Sequence, residues 1–429
     1  MKLSLSQKLE EDYKLEATSC LKKRISDLES QLARADAHIV IDQVHELEEM
    51  DKSFAMNRER LKSQKKRRSV RSTCKNWNAL SKSASRNQFL GFMMMDSKVC
   101  SLMFDLERIR NSDEAFVDRV INQVSVLDHM EISKTFYCEG LLLLVTKDSR
   151  PLVWNPCMNQ LLKIRPRNSY SRLDQYAFGY DNNNRNHKVL RFIDEYLFTD
   201  GLVKHALTYQ VFDLASESWR VVDVTPDWDI KSYQRGVSLK GNAYFFAQEK
   251  TTRLEFEIQD FLLCFDFTRE RFGPRLPLPF HSYARDTVAL SCVREEKLSV
   301  LHQSKRLLDT MEIWVTTKIE HSDVSWSKFL RVDMRPLTGF QFDYKSGSFF
   351  IHEEKKLAVV FDLDGYKPTR CRYQTAHIIG EDGYYKSVNI KEAKDLGEPG
   401  MSVYCVPLVC SSSYVPSLVQ LGKRKERDY

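Results

Sequence analysis

Beyond about residue 130 one unit recurs in this sequence, and it constrains the fold more than any other feature. It is an apolar run ending in an aromatic, often followed by Asp or Asn, then a polar turn, then a second run often opened by Trp or another aromatic. It reads "LVWNPCMNQLLKI", "YQVFDLASESWRVV", "LLCFDFTRERFGPR", "EIWVTTKIEHSDVSWSKFLRV" and "AVVFDLDGYKPTRCRY". β-branched and aromatic residues favour extended chain, and apolar alternation on both sides of a polar turn is the pattern of a β-hairpin. The anchor aromatics Trp154, Phe212, Phe265, Trp314 and Phe361 follow one another at spacings of 58, 53, 49 and 47 residues. A single hairpin leaves one face wet, so a chain that repeats it must pack the copies against one another.

A period of roughly 50 residues is that of kelch-type propeller blades, and radial packing of blades leaves only short sheet edges. The expected fold is therefore mainly β and propeller-like. Further strand candidates lie between the hairpins: "GVSLKGNAYFFA" with a turn at Gly241-Asn242, and "GSFFIHEEKKLAVVF" with a charged turn from Glu353 to Lys356. In this reading the repeated Trp and Phe are core residues. "FLGFMMMDSKVCSLMFDLERI" supplies one or two strands that begin the array.

The N-terminal texture differs. Residues 4–66 contain neither Gly nor Pro and are crowded with Glu, Lys, Gln, Ala and Leu, the composition of a long helix. Leu21, Ile25, Leu28, Leu32, Ala35 and Ile39 recur at steps of four and three, the seam of a coiled coil, before Asp42 and Gln43 interrupt it. The alternatives are self-association through this seam or an amphipathic helix packed on the protein's own body. Basic runs at residues 62–68 and 423–427 are candidate nuclear import signals or solvated surface. Neither is interleaved with the aromatics of a single-strand groove, so nucleic-acid binding is not expected.

The 429 residues, with 42% hydrophobic content and only 15 Gly and 12 Pro, predict a largely folded chain. A net charge of +6 is too small to define a partner class. The ten cysteines are scattered without metal-ligand spacing, which predicts reduced thiols and no metal. The charged N-terminus lacks a signal-peptide core and the longest aliphatic run is Leu141 to Val145, so cytoplasm or nucleus is expected, with no membrane span. There is no phosphate loop, His-Glu-x-x-His helix, nucleophile elbow or kinase signature, and no cofactor or catalytic residue is assigned. His205 and His377, flanked by apolar residues, read as structural; Glu295-Glu296 and Glu353-Glu354 read as turn surface charge.

The segment "SVRSTCKNWNALSK", residues 69–82, resembles the second half of the F-box motif of plant F-box proteins, a Val-Arg-x-Thr-Cys-Lys-x-Trp pattern. Val70, Cys74, Trp77 and Ser81 fall at steps of four, three and four and so share one helical face, with Arg71, Lys75 and Asn78 elsewhere. Downstream, "RVVDVTPDWDI", "RGVSLKGNAYFFAQEK", "FLLCFDFTRERFGPRLPLPFHSY", "MEIWVTTKIE", "VSWSKFLRVDMRPLTGFQF", "IIGEDGYYKSV" and "CSSSYVPSLVQL" are similar, in order, to the type 1 F-box-associated domain. The resemblance implies a propeller-like substrate-recognition domain joined to an adaptor-binding F-box within a Skp-Cullin-F-box ubiquitin ligase. Its implied partners are a Skp-type adaptor, contacted by Val70, Cys74, Trp77 and Leu80, and a protein substrate met by loops on one propeller face. The protein selects rather than catalyses.

The sequence departs from the family in the first half of the F-box. Glu49 to Gln64, "EMDKSFAMNRERLKSQ", has no Pro and places Glu59 and Arg60 near the family's aliphatic pair. An unpaired charge buried against an apolar adaptor costs several kcal/mol, which predicts a weakened contact. The expected organisation is a helical arm at 1–68, a truncated F-box-like segment at 69–90, an all-β propeller-like domain at 91–420 and a basic tail at 421–429. Two other functions fit the residues less well: a scaffold that no longer joins a ligase, and an enzyme or sugar-binding propeller, which needs a pocket with converging polar groups.

Overall fold

The computed structural model describes residues 18–20, 22–26, 88–105, 121–171, 173–199, 202–231, 234–250, 259–283, 286–304, 310–320, 322–335, 342, 348–363, 372–393, 408–409 and 414–422. Within them lie six antiparallel sheets. The chain enters through β1 (Gln88–Met95), β2 (Lys98–Asp105) and β3 (Ile121–Gln123). Five sheets of consecutive strands follow. The first contains β4 (Ile132–Cys138), β5 (Leu141–Thr146), β6 (Pro151–Asn155) and β7 (Gln160–Lys163), and the second β8 (Gln175–Tyr180), β9 (His187–Thr199), β10 (Leu202–Asp213) and β11 (Ser218–Val222). The third has β12 (Trp228–Asp229) and β13 (Val237–Leu239) both paired to β14 (Asn242–Glu249), then β15 (Asp260–Asp266) and β16 (Arg271–Phe272). The fourth is β17 (Thr287–Val293), β18 (Lys297–Gln303), β19 (Thr310–Ile319) and β20 (Val324–Asp333); the fifth is β21 (Ser348–His352), β22 (Leu357–Leu363), β23 (Tyr373–Gly380) and β24 (Tyr385–Glu392). Last comes β25 (Leu408–Val409), which pairs with β1 and so completes the first sheet with the other end of the chain.

The first strands form the inner ring of a β-propeller: β4 packs on β8, β8 on β13, β13 on β17, β17 on β21 and β21 on β25, with β1 returning to β4. Burial falls outward within a blade. The Leu-rich β5 and all of β6 are buried, whereas β7 alternates between half-buried and exposed. Sheets buried on both faces read as continuous apolar runs, which is why "LLLLV" is a strand here and not a helix.

The recurrent unit proves to be the turn between third and fourth strands. Asn155, Asp213 and Asp266 close β6, β10 and β15, and each Oδ1 accepts two backbone N–H bonds: from Cys157 and Met158, from Ala215 and Ser216, and from Thr268 and Arg269. Four residues after each cap the chain turns left-handed, at Asn159 (φ 51°), Glu217 (φ 51°) and Glu270 (φ 54°). The Asx side chain thus satisfies amides that a tight turn leaves unpaired.

Two expectations need correction. Trp154, Phe212, Phe265 and Trp314 lie on third strands, but Phe361 lies on the second strand of its blade, so "AVVFDLDGYKPTRCRY" spans β22 and β23, with a long connection between them. The third strand β15 and the second strand β22 are both buried over nearly their whole length, and the sequence does not distinguish them. The turn predicted at Gly241-Asn242 sits one residue earlier, at Lys240 (φ 50°) and Gly241 (φ 85°), because both positions of this two-residue turn are left-handed and Asn242 already pairs with Leu239.

The helical, coiled-coil-like arm is not supported beyond one short helix, residues 18–20 and 22–26, on which Ile25 is exposed. On that helix the exposed Ile25 makes no buried seam contact. Leu28, Leu32, Ala35 and Ile39 lie outside the described residues, as does the F-box-like segment at 69–82.

Candidate recognition face

Antiparallel blades sort their connections between two ends of the propeller. At one end are the first-to-second and third-to-fourth turns of the five blades built from consecutive strands, such as 139–140, 156–159, 240–241 and 267–270, all short. At the other are the second-to-third connections, such as 96–97, 147–150, 250–259 and 364–372, and the links between blades, such as 164–174, 223–236 and 273–286. Long loops on a rigid scaffold are where a propeller places recognition.

The short-turn end is stitched by ion pairs between blades. Arg185 meets Glu139 at 2.6 Å, Lys188 meets Glu270 at 2.8 Å, Arg294 meets Glu354 at 2.8 Å and Lys297 meets Glu353 at 2.7 Å. Arg220 also donates to Glu270. Burial pushes the Glu270 carboxyl up, but its hydrogen bonds from Arg220 and Lys188 outweigh this and hold it below the usual range. Glu353 and Glu354 thus carry out the surface role expected of them. Glu295 does not: it turns inward from its turn to the Tyr137 phenol of another blade, where burial first and this carboxylate second keep the hydroxyl protonated.

The long-loop end is organised by a repeated buried device. Asp174 stands just before β8 and Asp286 just before β17, and each accepts the backbone N–H three residues earlier, from Ser171 and Tyr283, at 2.9 Å. Each also engages a cation or imidazole on the neighbouring second strand. Arg191 donates through Nε (2.9 Å) and a terminal nitrogen (2.7 Å) to Asp174, and His302 Nε2 lies 3.2 Å from Asp286. Arg191 and Asp174 are both fully buried. Side chains then tie each blade to the next: Lys134 to the Asp174 carbonyl (2.6 Å), Gln175 to Ile230 (3.2 Å), Gln234 to Val288 (3.3 Å) and Thr287 to Phe342 (2.7 Å).

One cluster has the residue types of a hydrolase triad. Ser282 donates to Asp260 Oδ2 and His281 Nδ1 lies 3.2 Å from Oδ1 of the same carboxylate. The imidazole therefore does not stand between Ser and Asp, and has no path to take the serine proton. His377 shares a 2.8 Å hydrogen bond with the Tyr385 hydroxyl and packs on Phe342, the structural role expected. Among the described residues no cluster of His, Cys, Asp and Glu is arranged to hold a metal. Val70, Cys74, Trp77 and Leu80, the predicted adaptor contacts, lie outside the described residues, and the side chain of His205 does too.

Residues 90–421 match the family described as the F-box associated beta propeller domain. The chain belongs to this family. It is 56% identical to an F-box/kelch-repeat protein of Arabidopsis thaliana over 378 residues, covering 84% of this chain and 93% of that one. A putative F-box protein of the same plant is 54% identical, covering 82% and 93%. Among solved structures, YjhT covers 59% of this chain and 81% of its own at 12% identity with a TM-score of 0.39, too loose a likeness to carry an argument. No helix among the described residues is long and apolar enough to cross a membrane.

Proposed function

We propose that this protein is the substrate-recognition subunit of a Skp-Cullin-F-box ubiquitin ligase in the cytoplasm or nucleus. The observation that carries the reading is the match of residues 90–421 to the F-box-associated propeller, together with relatives named F-box proteins that align over 93% of their own length. The division of labour is an arm at 1–68, an F-box-like helix at 69–90 that meets the adaptor, the propeller at 91–420 that meets the target, and a basic tail at 421–429. The propeller contributes a rigid frame whose short-turn end is closed by inter-blade ion pairs and whose long connections face a target. Ubiquitin transfer belongs to other subunits, so this chain needs only to hold a target at a fixed distance and orientation.

On the adaptor side, Val70, Cys74, Trp77 and Leu80 are assigned to the contact. A buried interface Trp commonly contributes 2 kcal/mol or more, roughly thirtyfold in affinity. The test is a pull-down of the purified full-length protein with a panel of plant Skp-type adaptors, beside Trp77→Asp. Adaptor bound by the wild type and lost in the variant is the expected result. A wild type that retains no adaptor of the panel rejects the ligase assignment.

A further inference from the structure

The connection from β7 to β8, residues 164–174, has an unusual distribution of charge. With Lys163 it carries Arg165, Arg167 and Arg172 and one acid, Asp174. That acid is fully buried and its carboxylate is committed to Arg191 and to the Ser171 amide. Lys163, Arg165 and Arg167 are exposed, and none of the three has an ion-pair partner among the described residues. This contrasts with the short-turn end, where exposed or half-buried cations such as Arg185, Arg220, Arg294 and Lys297 each meet a carboxylate.

The loop is held in place from several sides while Lys163, Arg165 and Arg167 have no ion-pair partner among the described residues. Ile164 N–H donates to Pro151 at 3.1 Å, the Trp219 indole N–H donates to the Arg165 carbonyl at 2.6 Å, and the Tyr170 hydroxyl donates to the Ile164 carbonyl. Arg191 donates to the Ser169 carbonyl at 2.5 Å and stacks over Tyr170. Pro166, between the two exposed arginines, fixes its own φ and restricts Arg165. A second loop borders the patch: Arg150 on the β5–β6 connection, 73% exposed and paired with Asp148 at 2.9 Å, is close enough to Tyr170 to act on its phenol electrostatically. The inter-blade link 124–131 has the opposite sign, with Asp128 and Glu131 and no Lys or Arg, while 223–236 sets Asp223, Asp227 and Asp229 against Lys231 and Arg235.

We infer that this pre-ordered loop is a docking site for an acidic peptide segment of a protein partner, with Arg165 and Arg167 each engaging a carboxylate and Arg150 flanking them. Arginine suits the task because its planar fork grips a carboxylate through two parallel N–H donors. A loop already fixed by Trp219, Arg191 and Tyr170 loses little freedom on binding. The acidic link 124–131 disfavours spread of such a segment to that side. The inference rests on the reading of the long-loop end as a target-recognition face and supplies the chemistry of what that face selects.

The test uses the full-length protein and four fluorescein-labelled probes: a twelve-residue Glu/Ser/Gly peptide, the same peptide with every Glu replaced by Gln, the same peptide with every Glu replaced by Lys, and a single-stranded DNA oligonucleotide. Fluorescence anisotropy should show the acidic peptide binding about tenfold or more tightly than the Gln peptide at low salt, weakening as salt rises through about 0.15 M. Arg165→Glu/Arg167→Glu should remove that preference, and the Lys peptide should then bind the double variant better than it binds the wild type. Arg331→Glu, on the exposed edge of β20 and 64% exposed, should leave the preference unchanged. Equal affinity for the acidic and Gln peptides, tighter binding of the oligonucleotide, or an equal loss in Arg331→Glu overturns the inference. Adaptor pull-down separates the two readings: a protein that binds an adaptor but shows no acidic preference sinks this inference alone, and the converse result sinks the ligase assignment alone.

Discussion

The side-chain amide of Asn155 donates to the backbone carbonyl of Val419 at 2.7 Å, across 264 positions of the chain. It donates also to Ser417 O at 3.1 Å, while its own oxygen caps the β6–β7 turn. The segment 414–422 is held further by Val415 N–H to the Tyr137 hydroxyl and by Leu421 N–H to Gln160, both at 3.0 Å. It passes so close over Gly140 (φ 81°) that a Cβ there would lie 2.2 Å from the Val415 carbonyl. With β25 paired to β1, the C-terminal residues close the propeller twice.

Asn155→Ala leaves the tail carbonyls and two turn amides without partners inside the protein. The expected destabilisation is on the order of 3 kcal/mol, read as a lower Tm and an earlier urea midpoint. Val419→Ala keeps the carbonyl and trims a half-exposed side chain, so its effect should stay within about 0.5 kcal/mol. Comparable losses in both variants would show that the tail is held by side-chain packing instead.

Asp174→Ala strands a fully buried guanidinium and should cost about 3–5 kcal/mol. Adding Arg191→Met removes the stranded charge and should recover much of the loss. A double-mutant cycle by urea denaturation measures the coupling. If the double variant is as unstable as the sum of the singles, the pair is not the unit described.

Acid sensitivity follows from the short-turn end. Glu270 and Asp181 both sit below their ordinary pKa in the fold: burial opposes this, and hydrogen bonds from Arg220 and Lys188 on Glu270, and from Asn183 N–H and Lys188 on Asp181, prevail. A carboxyl with a depressed folded pKa stabilises fully above its unfolded value, about 4.3 for Glu, and the contribution fades as pH falls through the folded value. The stability gap between wild type and Glu270→Gln should therefore be constant from about pH 7 to 5 and shrink below about 4. A gap that widens on acidification contradicts the pairing.

Burial pushes the Cys264 and Cys292 thiols up to about 12 and Cys100 up to about 11, suppressing the reactive thiolate. Maleimide labelling of the native protein near neutral pH, read by peptide mass spectrometry, should modify the exposed Cys20 and spare Cys100, Cys138, Cys157, Cys264 and Cys292 until denaturant is added. Rapid native labelling of Cys264 or Cys292 would contradict their burial.

What the sequence by itself determined was local. An aromatic-Asx pair followed four residues later by a left-handed position specifies its own turn, because the Asx oxygen and the amides it accepts are two and three residues apart. The β class and the blade period followed from the aromatic-anchored hairpins, three of which, at Trp154, Phe212 and Phe265, carry such a unit. Phe361 broke the pattern because a second strand buried on both faces has the same composition as a third.

What only the tertiary structure decided depends on residues far apart in the chain. A sixth sheet with β25 beside β1 is invisible to a search for contiguous repeats, since its strands come from both ends. Arg191 looks in sequence like one polar residue in an apolar strand; its burial is tolerable only because the fold brings Asp174 to it. Asn155 resembles its repeat partners Asp213 and Asp266, yet its amide nitrogen lets it donate where a carboxylate only accepts. That one difference in hydrogen-bonding capacity gains a structural role only when the fold places the chain's last residues beside it.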